Sequence, residues 1–571
     1  MELAQEILRE STRLIRRYEE QAQRASDESS RRAKRSTGSV SPVLVKPPPN
    51  WRAADGFNPY LTRSRASRIA HSVRRQLRDR TYRPRQPIEY RVPKPSGGDR
   101  GVSIFQVADS AVSRVTFESL LAKNLPLFSA RAYAYRKDVS AQDAVQYLRS
   151  EISDRSRMFV AEFDFSAFFD SIAHEHIRRN LHDYKFLMSS VERSVIEAFL
   201  TTAPRSSGAY SDGHNLDRDR GVPQGTSISL FLANVAAWDL DRSLEHTGVG
   251  FTRYADDTLL WSDDYATICR ATEVLEDQAR RMGVELNLDK SPGIHLLVDN
   301  PDKAEMAAVS SIDYLGYQVG LHSARVKAGS IKKIKDHIER LVYWNLLHAP
   351  QTGTQHPSRI ASHVDRDYVT LLSQIRSYLY GDLSERSVQR FQRGEIPSRR
   401  FKGVMAAYPL IDDDDQLVAL DGWLVNLLYV AMQKRQRLLT AAGFATSAPP
   451  YGLARSSFAR AKTKSARTHE TIDMRVPSFR RIARVMRRAA SFHGPGRGGI
   501  LTEPLPDHRF VKVLRAGLIN LRCISTPKLS RCSQHGQVRT FVKIYWAGRH
   551  SAVPRSRRPF DLTGSSYFRW G

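Results

Sequence analysis

Three carboxylates are the residues here whose type and placement could do chemistry. Asp256 and Asp257 stand side by side in Phe251-Thr-Arg-Tyr-Ala-Asp-Asp-Thr-Leu-Leu-Trp261, between two short apolar runs, and Asp164 follows the run Met158-Phe-Val-Ala-Glu-Phe163. Adjacent carboxylates on an apolar support are costly to bury unless a cation compensates them. A divalent metal is the natural candidate, and a ligand at the end of an apolar strand gains from that rigid base. Each feature also has a plainer reading. Acidic pairs are common in solvated turns, and an aspartate ahead of a helix start can serve as its cap. Taken alone, these residues leave both readings open.

The elements that must position them can be read from residue types. Phe251, Tyr254, Leu259, Leu260 and Trp261 favour a buried hairpin, with Ala255, Asp256 and Asp257 in its turn. Residues 158–163 have strand propensity, Asp164 interrupts it, and residues 166–172 can begin a helix. Upstream, Tyr90-Arg-Val-Pro-Lys-Pro-Ser-Gly-Gly-Asp-Arg-Gly-Val-Ser-Ile104 reads as strand, Gly-rich turn and strand, carrying Lys94 on the way in and Arg100 on the way out. Two cations at a flexible turn could clamp a triphosphate, or simply make a basic hairpin. Arg220-Gly-Val-Pro-Gln-Gly-Thr-Ser227 reads as a Pro/Gly turn running into an apolar helix through Leu244. It can set backbone amides and Gln224 against a ligand, or be a helix entry capped by Thr226 or Ser227. Helices are expected over residues 174–202 and 265–282, then Val284-Glu-Leu-Asn-Leu-Asp-Lys-Ser291, and a short aromatic strand, Asp313-Tyr-Leu-Gly-Tyr-Gln-Val319.

Composition points to a polyanionic partner. The 571 residues carry a formal net charge of +28 and a pI near 10.1. Residues 441–571 hold 25 Lys and Arg against five acidic residues. No long amphipathic apolar face accompanies this charge, so nucleic acid fits better than a membrane surface. Cys269, Cys523 and Cys532 show no disulfide-framework spacing, and Cys523, Cys532 and His535 lack the paired Cys-x-x-Cys of a zinc site. The N-terminus is acidic and amphipathic, and no apolar run approaches the roughly 20 residues that span a bilayer. A cytoplasmic protein with no membrane partner is expected.

In chain order the pieces are a basic hairpin, the Asp164 strand-to-helix segment, the Pro-Gln-Gly loop, the Tyr-Ala-Asp-Asp hairpin, Asn-Leu-Asp-Lys and Tyr-Leu-Gly-Tyr. This series resembles the reverse transcriptases, specifically the bacterial group of retron, group II intron and defence-associated enzymes, over roughly residues 55–320. The resemblance implies an RNA-directed DNA polymerase using two Mg2+ ions, with Mn2+ as a substitute. Asp164 and Asp256 would bridge the ions, Asp257 would stand beside them, and the backbone carbonyl of Phe165 would face the triphosphate metal. Lys94 and Arg100 would neutralise phosphates, Gln224 would lie over the incoming nucleotide or template base, and Phe169 would exclude a 2′-hydroxyl. Lys290 matches the proton donor to pyrophosphate, with a surface lysine as the alternative. Tyr314, Leu315 and Gly316 match a primer-gripping strand, and Asp170 matches a second, structural acid. The implied partners are a structured RNA, a DNA product and deoxynucleoside triphosphates; a homo-oligomer or companion defence protein stays open. Bacterial antiviral defence is the implied setting, with a group II intron maturase or a non-copying RNA-binding protein as alternatives.

The fold class expected is α+β, a right-hand polymerase with fingers and palm, an extended helical thumb and a basic C-terminal region. Residues 1–50 are expected to be a helix through Ala25 and a mobile basic linker, 51–157 the fingers, 158–325 the palm and 326–446 the thumb with accessory helices. Residues 447–571 would be a basic, RNA-binding region with a helix over 475–490 and a strand over 539–546. In the thumb, Ile331, Ile334, Ile338, Leu341 and Val342 form a helical stripe interleaved with Lys327, Lys332, Lys333, Lys335 and Arg340. The run Asp412 to Asp415 suits the negative N-terminus of the helix that follows.

Overall fold

A computed structural model describes residues 3–93, 99–206, 210, 217–360, 364–395, 401–464 and 469–495. Lys94, Cys523, Cys532, His535 and the strand expected over 539–546 lie outside the described residues.

At the centre is a five-stranded sheet in the order Ala308–Val309, Gly293–Val298, Arg157–Phe163, Asp257–Ser262, Gly250–Tyr254. All neighbours are antiparallel except Ala308–Val309, which runs parallel to Gly293–Val298. Strand alternation puts apolar residues on both faces, and each face builds its own core. Met158, Val160, Leu259, Trp261 and Leu297 face the helix Ala141–Ile152, the small sheet of Ile312–Tyr314, Tyr317–Val319 and Ala324–Val326, and the thumb helices. Phe159, Ala161, Phe163, Phe251, Leu260 and Leu296 face the helices Ser227–Ala236, Trp238–Thr247 and Tyr265–Met282 and the helices of the fingers. The α+β right-hand architecture expected from the motifs is therefore present. The helix Ala141–Ile152, placed with the fingers on sequence, packs in the thumb-side core of the palm.

Two helical expectations change at their ends. Residues 174–202 form two helices, His174–Asp183 and Ser190–Thr201. Ser189 caps the second through a reciprocal capping box with Glu192, and Lys185 before it is left-handed at φ 50°. The apolar run from the Pro-Gln-Gly loop likewise breaks at Ala237.

The larger differences are at the termini. The first helix does not stop near Ala25 but runs Leu3–Arg35. Arg31 and Arg32 both pair with Glu28, Arg32 lies 4.3 Å over the Trp344 ring, and buried Arg35 donates to the Trp344 carbonyl at 3.0 Å. Tertiary anchors on the thumb thus extend a helix whose apolar periodicity had ended. The stretch after it, expected to be a mobile linker, folds back on the helix through Tyr18 Oη to Val45 O and Val43 N to Ser29 Oγ.

No boundary falls at residue 447. Phe458, Met474, Phe479, Ile482 and Met486 share one core with Leu417, Leu424, Leu428 and Tyr380. The basic helix runs Phe479–His493, and its partly exposed arginines make intramolecular pairs. Arg480 and Arg484 pair with Asp414, Arg481 with Glu385, and Arg487 donates to the Ile411 carbonyl. The region expected to begin at 447 as a separate basic module is thus, over its described part, packed into the thumb-side core. Asp412 and Asp413 are likewise engaged, with Arg149 and Arg325. Truncation after Thr446 should therefore abolish the thumb's cooperative thermal transition in calorimetry. Truncation after Pro495 removes 14 Lys and Arg against three acidic residues; it should keep that transition while lowering RNA affinity and flattening its salt dependence.

Candidate active site

The catalytic-type hairpin closes through a register that pairs Tyr254 with Asp257. Only Ala255 and Asp256 lie in the turn, with Ala255 left-handed at φ 64°, so Asp257 begins the return strand and is not itself a turn residue. In the same sheet Phe163 pairs with Thr258, which brings Asp164, the residue after the central strand, beside the Ala255-Asp256 turn and Asp257.

Asp164 is held from the other side by the Asn-Leu-Asp-Lys segment. Lys290 Nζ lies 2.7 Å from Asp164 Oδ2 and Asn287 Nδ2 donates to the same oxygen at 3.3 Å. The backbone is latched as well: Asn287 N donates to the Asp164 carbonyl at 2.8 Å, and Asp164 N to Ser291 Oγ at 3.2 Å. Phe165 and Ser166 then pair with Leu286 and Glu285. Lys290, itself exposed, is thus an ion-pair partner of Asp164.

Electrostatically the trio is under-compensated. Burial pushes the Asp256 carboxyl up from its ordinary range, and Asp164 adds to this while Arg100 and Lys290 oppose it. Asp257 is pushed up to about 7, by burial first and then by the negative field of Asp256, Asp164 and Glu162, against Lys327. Asp257 as a residue is exposed, so water screens part of that repulsion and its stability effect is smaller than the shift alone implies. Glu162 is itself pushed up by burial and Asp313.

Hard oxygen donors that hold protons this readily fit a divalent cation. Among the described residues no group of three or more His, Cys, Asp or Glu side chains makes a ready ion cage. An open carboxylate set of this kind would leave a divalent cation to complete its shell with other oxygen ligands.

The segment around Phe169 and Ser103 is laced together by the Pro-Gln-Gly loop. Val222 N donates to the Phe169 carbonyl at 2.6 Å, Gly221 N to Ile172 O at 2.7 Å, and Ser103 N to the Gln224 carbonyl at 2.6 Å. The loop needs its glycines. Gly221 and Gly225 have φ of 76° and 117°, and a Cβ at either would stand 2.5 Å from the Asp170 carbonyl or 2.4 Å from that of Ser103. Gln224 Nε2 donates to Asp170 Oδ2 at 2.9 Å. Phe168 is the buried aromatic, stacked on Phe165, while Phe169 is half-buried with its ring edge-on to Tyr135. Arg100 is exposed on the basic hairpin, opposite Val92, and acts on Asp256.

One placement changes. Tyr314, Leu315 and Gly316 do not form a strand: Leu315 and Gly316, at φ 47° and 87°, are the turn between Ile312–Tyr314 and Tyr317–Val319. Tyr314 is 2 % exposed and lies in the thumb-side core, so only the turn can be presented to a primer. An aromatic at the last residue of a strand of three is placed by alternation, and here that direction is inward. Sequence reasoning also missed Tyr135, Asn287 and Arg253. A charged Arg253 within an apolar strand was the available signal.

Residues 92–319 match the family described as reverse transcriptase (RNA-dependent DNA polymerase). This stretch is a reverse transcriptase domain. It contains Asp164, Asp256, Asp257 and Lys290. The COX1/OXI3 intron 1 protein of Saccharomyces cerevisiae is 28% identical over 160 residues, covering 27% of this chain. The chain spans 18% of the length of that relative. Among solved structures, telomerase of Candida albicans in complex with a telomeric RNA fragment overlays with TM-score 0.34 and 13% identity, over 72% of this chain and 68% of that one. The Candida tropicalis complex overlays with TM-score 0.34 and 10% identity, over 66% and 63%. These overlays are too loose to transfer residues to the reverse transcriptase domain, and the relatives are fungal. Outside the domain, no helix among the described residues is long and apolar enough to cross a membrane.

Proposed function

We propose that this chain extends the 3′ end of a primer with deoxynucleotides, copying RNA, by two-metal phosphoryl transfer. The observation that carries the proposal is the placement of Asp164 at the end of the central strand, beside Asp256 and Asp257 of the neighbouring hairpin, with Lys290 on Asp164. Bound at this trio, two Mg2+ ions, or Mn2+ in their place, would activate the primer hydroxyl and neutralise the triphosphate.

The residues then divide the work. Asp164 and Asp256 supply shared carboxylate oxygens, with Asp257 supporting and the Phe165 carbonyl facing the triphosphate. Lys94 and Arg100 take phosphate charge. Gln224 borders the base and Phe169 the sugar, where its ring excludes a 2′-hydroxyl. Lys290 is in reach to move a proton to the leaving pyrophosphate. The turn Leu315-Gly316, more than Tyr314, meets the primer.

Primer extension with purified protein, an RNA template and four deoxynucleotides tests this; no product, with or without co-expressed RNA, overturns it. The same assay carries a pH prediction. A protonated carboxyl does not ligate a cation, and Asp257 is held near 7. The Mg2+ concentration for half-maximal rate should therefore fall as pH rises from about 6 to about 8. A flat profile would remove Asp257 from the cation site.

In the cell, the motif series supports an enzyme that works in the cytoplasm with a dedicated non-coding RNA in bacterial antiviral defence. A second reading, an intron-type maturase with polymerase activity, is favoured by the likeness to the yeast intron 1 protein. Sequencing RNA that co-purifies with the chain separates them: intron sequence supports the second, a dedicated non-coding RNA the first.

A further inference from the structure

Arg253 lies in the middle of an apolar strand with its side chain 1 % exposed. Its guanidinium is a five-donor hub. Nε and Nη2 donate to the two Asp241 oxygens, each at 2.6 Å, and Nη1 and Nη2 both donate to Asn234 Oδ1 at 3.3 Å. Nη1 also donates to the Ala255 carbonyl at 3.1 Å. The backbone of Arg253 pairs with a second segment: its N–H donates to Arg131 O at 3.0 Å, and its carbonyl accepts from Tyr133 N at 2.9 Å. Asn234 in turn donates from Nδ2 to the Ala134 carbonyl at 3.0 Å.

The two carbonyls so held belong to the peptides that lead into Asp256 and into Tyr135. Each peptide adjoins a non-glycine residue in the left-handed region, Ala255 at φ 64° and Tyr135 at φ 65°. Left-handed backbone at such residues persists only when the surroundings over-determine it. Tyr135 meets the Phe169 ring edge-on at 6.2 Å, and Asp256 is among the charges acting on it. A buried ion pair is weak evidence for stability, since an apolar replacement is often as stable. Holding geometry is the use that the bond pattern of Arg253 fits.

We propose that Arg253 is a positioning residue: one guanidinium fixes the peptide that presents Asp256 and, through Asn234, the peptide that presents Tyr135. The carboxylate and the aromatic wall behind Phe169 then keep a set separation, on which turnover and sugar selection both depend. This rests on the polymerase reading of the site.

Arg253→Lys keeps a cation for Asp241 but cannot reach Asn234 and the Ala255 carbonyl together. Measured below its melting transition, it should lower kcat for deoxynucleotides by about 30-fold or more, with the primer–template KM little changed. It should also lower discrimination against ribonucleotides by about tenfold. A purely structural role would lower Tm and leave kcat and discrimination as in wild type; that result overturns the proposal. If Arg253→Lys does not fold, Asn234→Ala, which spares the Asp241 pair, should lower discrimination in the same way, and unaltered discrimination there overturns it equally. Wild-type synthesis in the same assay separates the two readings. Its absence sinks the polymerase function, whereas its presence with unaltered variants sinks only the role of Arg253.

Discussion

Asp256→Asn should reduce primer extension by on the order of 10³-fold or more, about 4 kcal/mol of barrier, while the protein stays folded. The substitution keeps shape and removes the charge that Asp164 and Asp257 share a site with. If Asp256 is the bridging ligand, no neighbour replaces it: Asp257 starts the return strand, and Asp164 is already engaged by Lys290 and Asn287.

Stability should move the other way. A carboxyl whose folded-state pKa is raised favours the fold most when protonated, and this contribution is lost as pH rises through the raised value. For Asp257 that window runs from the ordinary carboxylate range up to about 7. Metal-free Asp256→Asn and Asp257→Asn should therefore melt higher than wild type at pH 8, and much less so at pH 5. For exposed Asp257 the gain is on the order of 1 kcal/mol after allowing for screening. Activity in Asp256→Asn within a few-fold of wild type would end the bridging assignment. A lower Tm at pH 8 would show instead that the carboxylates are structural.

The second large effect is expected in the thumb. Arg435 is fully buried and joins Asp365 at 2.7 Å, Asp367 at 2.9 Å, the Leu346 carbonyl at 2.7 Å and Gln355 at 3.1 Å. Tyr451 donates to Asp365, and Arg359 to Asp367 at 2.8 Å. Burial alone would push Asp365 up, but Arg435 outweighs it and holds the carboxyl below its ordinary range. Arg435→Met leaves two buried carboxylates without their shared cation, which costs about 3–5 kcal/mol. The thumb's transition should fall by roughly 10 °C. Simultaneous replacement of Arg435, Asp365 and Asp367 by apolar residues should recover much of this, because no charge is then left unpaired. A single variant that melts with wild type would mean that water, not the protein, solvates this cluster.

The same cluster explains why the terminal regions were misjudged from sequence. Arg35 lies 4.0 Å from Asp367, and Tyr451 from beyond residue 447 caps Asp365. An arginine in a Ser/Arg-rich stretch reads as solvated unless its partner, hundreds of residues away, is known. Charge pairing at such sequence distance has no local signature.

What the amino-acid sequence determined by itself was the set of local elements that carry the candidate site. Paired aspartates between apolar runs, a third at the end of another apolar run, Lys290 in Asn-Leu-Asp-Lys and glycines around Gln224 define the hairpin, strand and loop through propensities that act over a few residues. The helices of the palm and the thumb stripe were legible for the same reason, since periodic burial is written locally. Tertiary structure alone decided which acid lies in the turn, that Tyr314 turns inward, that Lys290 sits on Asp164, and that the apolar face of Phe479–His493 joins the thumb-side core. It also decided the latch of Arg253 on Ala255 and Asn234. Each of these depends on strand register or on a partner far along the chain, and such contacts exist only once the two cores have closed on the central sheet.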